Sequence, residues 1–260
     1  MTIPPVPDLK GGSTKISDIK TYIKGLKACL DKTERELSGK IDAAAEIIAD
    51  AASEGRLVHV FGTEAHTAAL AGELFFRGVG FACINPLFDP AIDLSHGAYR
   101  SELCRNMAGL APCIMDYYEN IEPGDPIILI SGDPEGVFFM EAVNRAVEKG
   151  LRIIAIVPCG GPDGGVETGV GGEAGVGGDL CDEAGVGGAL DKADVVLEFH
   201  AAEGFGGANT VCMATILNCI AIRALEKAGV AVDIWRGGRY VKPEDNRELI
   251  EKYINRVKHL

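Results

Sequence analysis

Two rhythms of apolar residues alternate along this chain. Ile16, Ile19, Ile23, Leu26 and Leu30 recur at helical spacing, and Ile41, Ala44, Ile48 and Ala51 repeat the pattern. That periodicity predicts one long or two consecutive amphipathic helices over residues 15–54. From Leu57 onward, short uninterrupted apolar runs take over: Leu57–Phe61, Phe81–Asn85, Ile127–Ile130, Arg152–Val157 and Asp194–Phe199. Helical stretches separate or follow them at 64–78, 101–118, 135–149 and 208–228. In 135–149, Phe139, Ala142, Val143, Ala146 and Val147 form one stripe, closed by Gly150 as a C-terminal cap. A last helix, 243–257, starts near Pro243-Glu244-Asp245 and carries Leu249, Ile250, Tyr253, Ile254 and Val257.

Strands that are apolar throughout are buried on both faces, and their alternation with amphipathic helices predicts a parallel sheet covered on both sides. The expected fold is α/β, a doubly wound five-stranded parallel sheet with an N-terminal helical extension. The 260 residues suffice for one large domain. The arm and helices of 1–55 are read as part of the same unit as 56–260. One segment breaks the rhythm. Residues 160–188 hold 13 glycines and six acidic residues with no Lys or Arg, and Glu-Ala-Gly-Val-Gly-Gly occurs there twice. Such a stretch is either a surface loop or a lid over the sheet edge; its repeats do not meet the known calcium-binding pattern.

Composition narrows the function classes. The net charge of −13 argues against nucleic acid, which demands a basic footprint, but not against a small phosphorylated ligand held by local loops. Met1–Pro7 has neither a basic nor an apolar leader region, and the apolar stretch Val211–Ile222 is too short to span a bilayer, so no membrane partner is expected. The eight cysteines at 29, 83, 104, 113, 159, 181, 212 and 219 form no CxxC pair and fall mostly in apolar segments. They read as buried reduced thiols of a cytoplasmic protein.

The candidate chemistry lies where two strands end. Leu57–Phe61 runs into Gly62-Thr63-Glu64-Ala65-His66-Thr67, and Ile127–Ile130 runs into Ser131-Gly132-Asp133-Pro134-Glu135-Gly136. In an open parallel sheet, ligands bind outside the carboxyl ends of the strands, where helix entries offer free N–H groups to an anion. Two such loops at one edge suggest a site for a small phosphorylated molecule.

With those loops, the segments His59-Val-Phe-Gly-Thr63, Glu73-Leu-Phe-Phe-Arg77, Asn85-Pro-Leu-Phe-Asp-Pro90, Ile121-Glu-Pro-Gly-Asp125 and the ending Asn246…Glu251-Lys-Tyr253…His259-Leu260 resemble the sugar isomerase (SIS) domain family, and within it a bacterial group similar to the phosphoheptose isomerases. The resemblance covers most of 20–160 and 189–260. It implies phosphosugar binding at the carboxyl edge of the sheet, a homodimer or homotetramer with the site near the subunit boundary, and no cofactor. Family members include isomerases, amino-group transferases and sensor modules without chemistry. Family phosphate loops are rich in Ser and Thr. The first loop here keeps Gly62, Thr63 and Thr67 and adds His66, whereas the second departs from the pattern at Asp133, Pro134 and Glu135. A carboxylate beside a dianionic phosphate opposes binding, and Pro134 removes an N–H donor; two acids at a helix entry also suit the macrodipole and can cap the helix.

Aldose–ketose isomerisation needs a base that moves a proton between neighbouring carbons and an acid that polarises the sugar. The resemblance makes Glu73 the base, with Arg77 one turn on as a partner; an interface salt bridge is the plain alternative. His96, in Leu94-Ser95-His96-Gly97, is the candidate acid or a surface histidine. Substrate-binding candidates are Gly62, Thr63, His66, Thr67, Ser131, Gly132, Asp133, Asn209 and Thr210, the last two at a helix entry they could instead cap. His59 reads as a core residue, and His200 points toward the ligand edge. His66, His96, His200 and Glu73 lack metal-ligand spacing, so no metal is expected. His259 matches the group's ending and could reach a partner's site. The alternative to an isomerase is a sensor or partner subunit with a degraded phosphate loop.

Overall fold

The computed structural model describes residues 19–159, 186–200, 207–229 and 232–260. The N-terminal arm, nearly all of the glycine-rich segment 160–188 and residues 201–206 lie outside the described residues. In chain order the elements are α1 (Ile19–Ser53), β1 (Val58–Gly62), α2 (Ala65–Leu70), β2 (Ile84–Pro86), α3 (Ala98–Cys104), α4 (Leu110–Tyr117), β3 (Pro126–Ile130), α5 (Val137–Glu148), β4 (Arg152–Pro158), α6 (Val186–Leu190), β5 (Val195–Phe199), α7 (Gly207–Ala228) and α8 (Arg247–Tyr253). A short 3-10 turn, Pro243–Asn246, leads into α8.

The five strands are all parallel, in the order β2-β1-β3-β4-β5. Side-chain alternation along them feeds two cores. Val58, Val60, Ile128, Ile130, Ile154 and Ile156 face α1 and α7, while Phe61, Ile127, Leu129, Ile153, Ala155 and Val157 join the cluster containing α4 and α5. Both faces are covered, which is why these strands show no polar alternation in sequence.

Helix α1 is a single helix of 35 residues. Its stripe of Leu37, Ile41, Ala44, Ala45 and Ile48 is buried against the same core as Cys212, Met213, Ile216, Leu217 and Ile220 of α7. Helix α7 runs 22 residues, longer than the apolar stretch read from the sequence. By length and composition it could cross a bilayer, but in this fold it is a core helix. The thiols divide: Cys29, Cys83 and Cys212 are buried, Cys104 and Cys219 intermediate, and Cys113 and Cys159 exposed.

Four expected elements are shorter than their patterns suggest, the last helix ending at Tyr253 instead of 257. The helix expected over 64–78 stops at Leu70 and gives way to turns, because the following chain pairs instead with the C-terminal segment. Val79 N–H donates to Trp235 O at 2.8 Å, Trp235 N–H to Gly80 O at 2.9 Å, and Ala82 N–H to Asp233 O at 2.9 Å. The crossing is so close that a Cβ on Gly78 would lie 2.6 Å from the Cα of Gly237. Phe76 and Val79 adopt positive φ there, 49° and 66°, a cost that the pairing must offset. The strand expected over 81–85 shrinks to Ile84–Pro86 for the same reason, since Phe81 forms an antiparallel bridge with Ile234. The helix expected over 101–118 divides into α3 and α4, with Gly109 at φ 83° opening the second.

Candidate functional site

The strand order reverses between β1 and β3: β2 lies outside β1, while β4 and β5 continue beyond β3. Loops leaving β1 and β3 therefore diverge and leave a crevice at their carboxyl ends. Register brings the two loops level, since Gly62 pairs with Ile130. Thr63 N–H donates to Ile130 O and Ser131 N–H to Ile156 O, each at 3.0 Å, so both loop entries are anchored to a neighbouring strand. Thr63, Thr67 and Ser131 are all buried.

Into this crevice turns a side chain that motif reasoning passed over, Glu64. Its Oε1 accepts hydrogen bonds from Thr63 Oγ1 at 2.9 Å, Ser131 Oγ at 2.5 Å and the N–H of Asp133 at 3.2 Å. Its Oε2 accepts from Thr67 Oγ1 at 2.8 Å and the N–H of Gly132 at 3.0 Å. Five donors from two loops thus converge on one carboxylate. A carboxylate offers about four lone-pair sites, so this one is saturated. A signal was present in the sequence: Glu64 stands at the N-cap of α2, where Ser, Thr, Asp and Asn are preferred, in a loop otherwise composed of small residues. Its own backbone N–H is satisfied by Thr67 Oγ1 at 2.9 Å, leaving the carboxylate free to reach the second loop.

Asp133 contributes its N–H to the cradle, but its carboxylate turns to Arg105, whose Nη1 donates to Oδ2 at 3.4 Å. It does not cap α5; the N-cap is Gly136, without a side-chain cap. Arg105 also binds Glu102 through Nε at 2.9 Å and Nη2 at 2.8 Å. Those Glu102 bonds raise the guanidinium above its ordinary pKa, opposed by partial burial and assisted by the charges of Glu102, Asp133 and Glu64. Arg105, likewise unforeseen, answers the negative charge that Asp133 brings to the loop. Glu135 is exposed.

The structure gathers Gly62, Thr63, Thr67, Ser131, Gly132 and the Asp133 N–H around one point. The remaining candidates lie elsewhere or apart. Glu73 pairs with Arg77 at 2.8 Å and accepts from Asn218 Nδ2 of α7 at 3.0 Å. His66 is exposed in the first turn of α2. His96 is exposed beside Ser95, whose Oγ lies 2.7 Å from Nδ1, and Ser95 in turn hydrogen-bonds Asp93. Asn209 and Thr210 sit in the first turn of α7. His200 faces Glu36 of α1 at 2.8 Å. Among the described residues, no group of three or more His, Cys, Asp or Glu side chains is placed to hold a metal.

At the opposite, amino edge, His59 is fully buried between Asp125 Oδ2 at 3.2 Å and Asn85 Nδ2 at 3.0 Å. Asn85 Oδ1 accepts from the N–H of Lys258 at 3.4 Å, so its amide presents the NH2 group to His59 Nδ1, and the proton on Nε2 goes to Asp125. The tail packs on its own chain: His259 Nε2 lies 2.7 Å from Tyr118 Oη, and its ring lies 5.1 Å from that of Phe88. Partial burial, and secondarily the charge of Lys258, lowers the pKa of His259.

Comparison with known proteins gives the family and the fold. Residues 21–158 match the SIS domain model. UPF0309 proteins of Brucella ovis and Brucella abortus are each 34% identical over 143 residues, covering 55% of this chain and 57% of the relative. The chain thus spans little more than half the length of these curated relatives. Among solved structures, a phosphoheptose isomerase from Neisseria gonorrhoeae superposes with a TM-score of 0.55 at 14% identity, covering 80% of this chain and 97% of the other. One from Francisella tularensis gives a TM-score of 0.51 at 15% identity, covering 80% and 96%. At such identities the likeness is one of fold.

Proposed function

This chain belongs to the SIS-domain family, and from that premise we propose that it binds sugar phosphates, with the phosphoryl group held between the loops that follow β1 and β3. The observation that supports this reading is the convergence of three hydroxyls and two backbone N–H groups on a single anionic group. A phosphoryl group, like a carboxylate, presents only acceptors to such a donor set. The two structural neighbours are phosphoheptose isomerases, which is consistent with a ligand of this class. The same reading includes a homodimer or homotetramer in the cytoplasm, acting without a cofactor. The exposed Tyr99, Leu103 and Met107 on and beside α3 offer apolar surface for such an assembly.

The test is a thermal-shift and calorimetric screen against pentose, hexose and heptose phosphates, each beside its free sugar. A ligand that binds only the folded state raises the melting midpoint by mass action. One phosphosugar should shift it while the matching free sugar does not. Ser131→Ala introduced into Glu64→Ala, where no carboxylate competes for the hydroxyl, should weaken that phosphosugar by about tenfold or more, since a hydrogen bond to a charged group contributes roughly 1.5–3 kcal/mol. An unchanged affinity in that pair of variants would remove Ser131 from the site.

For chemistry beyond binding, Glu73 is the base candidate and His96 the acid candidate of an aldose–ketose isomerase. Glu73→Gln should then abolish turnover and leave phosphosugar affinity within about twofold, as expected of a group acting only in the transition state. A second reading, a sensor without turnover, is favoured by the engagement of Glu73 with Arg77 and Asn218. Retained turnover in Glu73→Gln would exclude Glu73 as the base.

A further inference from the structure

The saturation of the Glu64 carboxylate carries a consequence for how the site admits a ligand. We infer that Glu64 is a resident competitor: in the unliganded protein its carboxylate occupies the place of the ligand's phosphoryl group, and it must swing out before an anion enters. This inference rests on the phosphosugar reading and adds to it the residue that sets the ligand threshold.

Three observations carry it. First, the donors come from two separate loops, so Glu64 bridges the crevice in addition to closing the capping box of its own helix. Ser131, Gly132 and Asp133 lie 67 to 69 positions away in sequence. A residue serving α2 alone would bond within α2, as Thr67 does with the Glu64 backbone.

Second, the carboxylate is positioned to leave. Glu64 is only partly buried and Gly132 is exposed, so the cradle opens toward solvent, and side-chain rotation alone releases it. Third, two of the three hydroxyls have other acceptors within reach. Thr63 Oγ1 also lies 3.3 Å from Ile130 O, and Thr67 Oγ1 lies 3.1 Å from Glu64 O. The cradle therefore keeps internal partners when the carboxylate departs, Asp133 N–H among them through Ser131 Oγ at 3.0 Å, while the Gly132 N–H and the Ser131 hydroxyl become available to an incoming oxyanion.

Such a competitor divides every anion's affinity by the same factor, the inverse of the fraction of molecules with the cradle open. It leaves the ranking of ligands unchanged and raises the bar for all of them. A monoanionic sugar acid, which offers no more than Glu64 itself, is thereby held off. A phosphoryl dianion with three equatorial oxygens can exceed the threshold. The departing carboxylate also has to move away from that dianion, since like charges so close repel strongly in a partly desolvated site.

The experiment is calorimetric titration of the full chain with inorganic phosphate and with glucose 6-phosphate, on the wild type, Glu64→Ala, Glu64→Gln and the double variant Glu64→Ala with Ser131→Ala. Glu64→Ala should bind inorganic phosphate about tenfold or more tighter than the wild type, and the double variant should lose that gain. The unliganded Glu64→Ala protein should melt lower than the wild type and recover more on adding phosphate. If Glu64→Ala does not fold, Glu64→Gln carries the comparison, and a gain is again expected because the competing charge is gone. Equal or weaker phosphate binding in the folded Glu64 variants than in a wild type that does bind would overturn the competitor role and leave the phosphate cradle standing. No binding of either probe by any variant, the opened ones included, would overturn both.

Discussion

Gly62→Ala should cost at least about 3 kcal/mol of stability, the upper part of the range for overpacking, and should abolish ligand binding at the crevice. The reason is steric, not conformational. A Cβ at this position would lie 2.0 Å from the carbonyl oxygen of Thr67, 2.1 Å from its carbonyl carbon and 2.4 Å from the nitrogen of Ala68. All three are backbone atoms, so no side-chain rotation relieves the clash. Either α2 moves off the end of β1 or β1 slips against β3, whose pairing with Gly62 through Ile130 levels the two loops. Both responses displace Thr67 and Glu64 from Ser131 and Gly132. Equilibrium urea unfolding measures the stability loss, and phosphosugar titration measures the loss of the site. Wild-type stability together with wild-type binding in Gly62→Ala would show that α2 does not pack on β1 as described.

Asp125→Ala should be comparably damaging at the opposite edge of the sheet, by about 3 kcal/mol, as when a buried donor is stripped of its acceptor. The Asp125 carboxylate is buried and accepts from His59 Nε2 at 3.2 Å, from the N–H of Glu122 at 3.0 Å and from Arg56 Nη1 at 3.4 Å. Removing it leaves the fully buried His59 with a donor and no acceptor, and uncouples the start of β3 from β1. Burial by itself would raise the pKa of Asp125. The hydrogen bonds from His59 and Glu122, with that from Arg56, outweigh it and hold the carboxyl below its ordinary 3.8.

The pH dependence follows from that direction. A carboxyl whose pKa is lower in the folded than in the unfolded state contributes stability that is fully present above the unfolded value and is lost as pH falls through the folded one. The wild type should therefore lose this contribution from about pH 4 downward. Asp125→Asn, which cannot titrate, should show a shallower acid limb and a lower plateau at neutral pH. Urea midpoints measured between pH 2 and 7 on both proteins check the sign, on the ordinary carboxylate scale of about 4. An acid limb equally steep in Asp125→Asn would mean that other carboxylates carry it; Asp116 and Asp233 are also held low, through Arg145 and Lys149 and through Lys252 and Tyr253 respectively, against the opposing effect of burial.

Much of this architecture is legible in the sequence. The apolar runs ending at Phe61, Ile130 and Val157 became β1, β3 and β4 with small changes at their ends, because a strand buried on both faces must be apolar at every position. The stripe of Ile41, Ala44 and Ile48 marked the face of α1 that is buried in the core. Of the candidate site, Thr63, Thr67 and Ser131 were recognisable because hydroxyls in small-residue loops after parallel strands follow a known physical logic. His59 was read as a core residue from its place within an apolar strand, and it is one.

What escaped the sequence depended on distant partners. The helix pattern over 64–78 is locally sound, yet pairing of Val79–Ala82 with Asp233–Trp235 ends it at Leu70, and local propensity cannot report a partner more than 150 positions away. Of the two readings of Asp133, ligand contact or helix cap, its carboxylate takes neither and turns to Arg105, 28 positions upstream. Glu64 looked like an ordinary polar residue because a carboxylate's role is set by the donors it meets. Its donors are assembled only when β1 and β3 pair in register. The sequence by itself determined the strands, the parallel class of the sheet and the two loops that border its switch point, all through local pattern. Tertiary structure decided that those loops close around an internal anion, because hydrogen-bond partners and charge neighbours are properties of position in space.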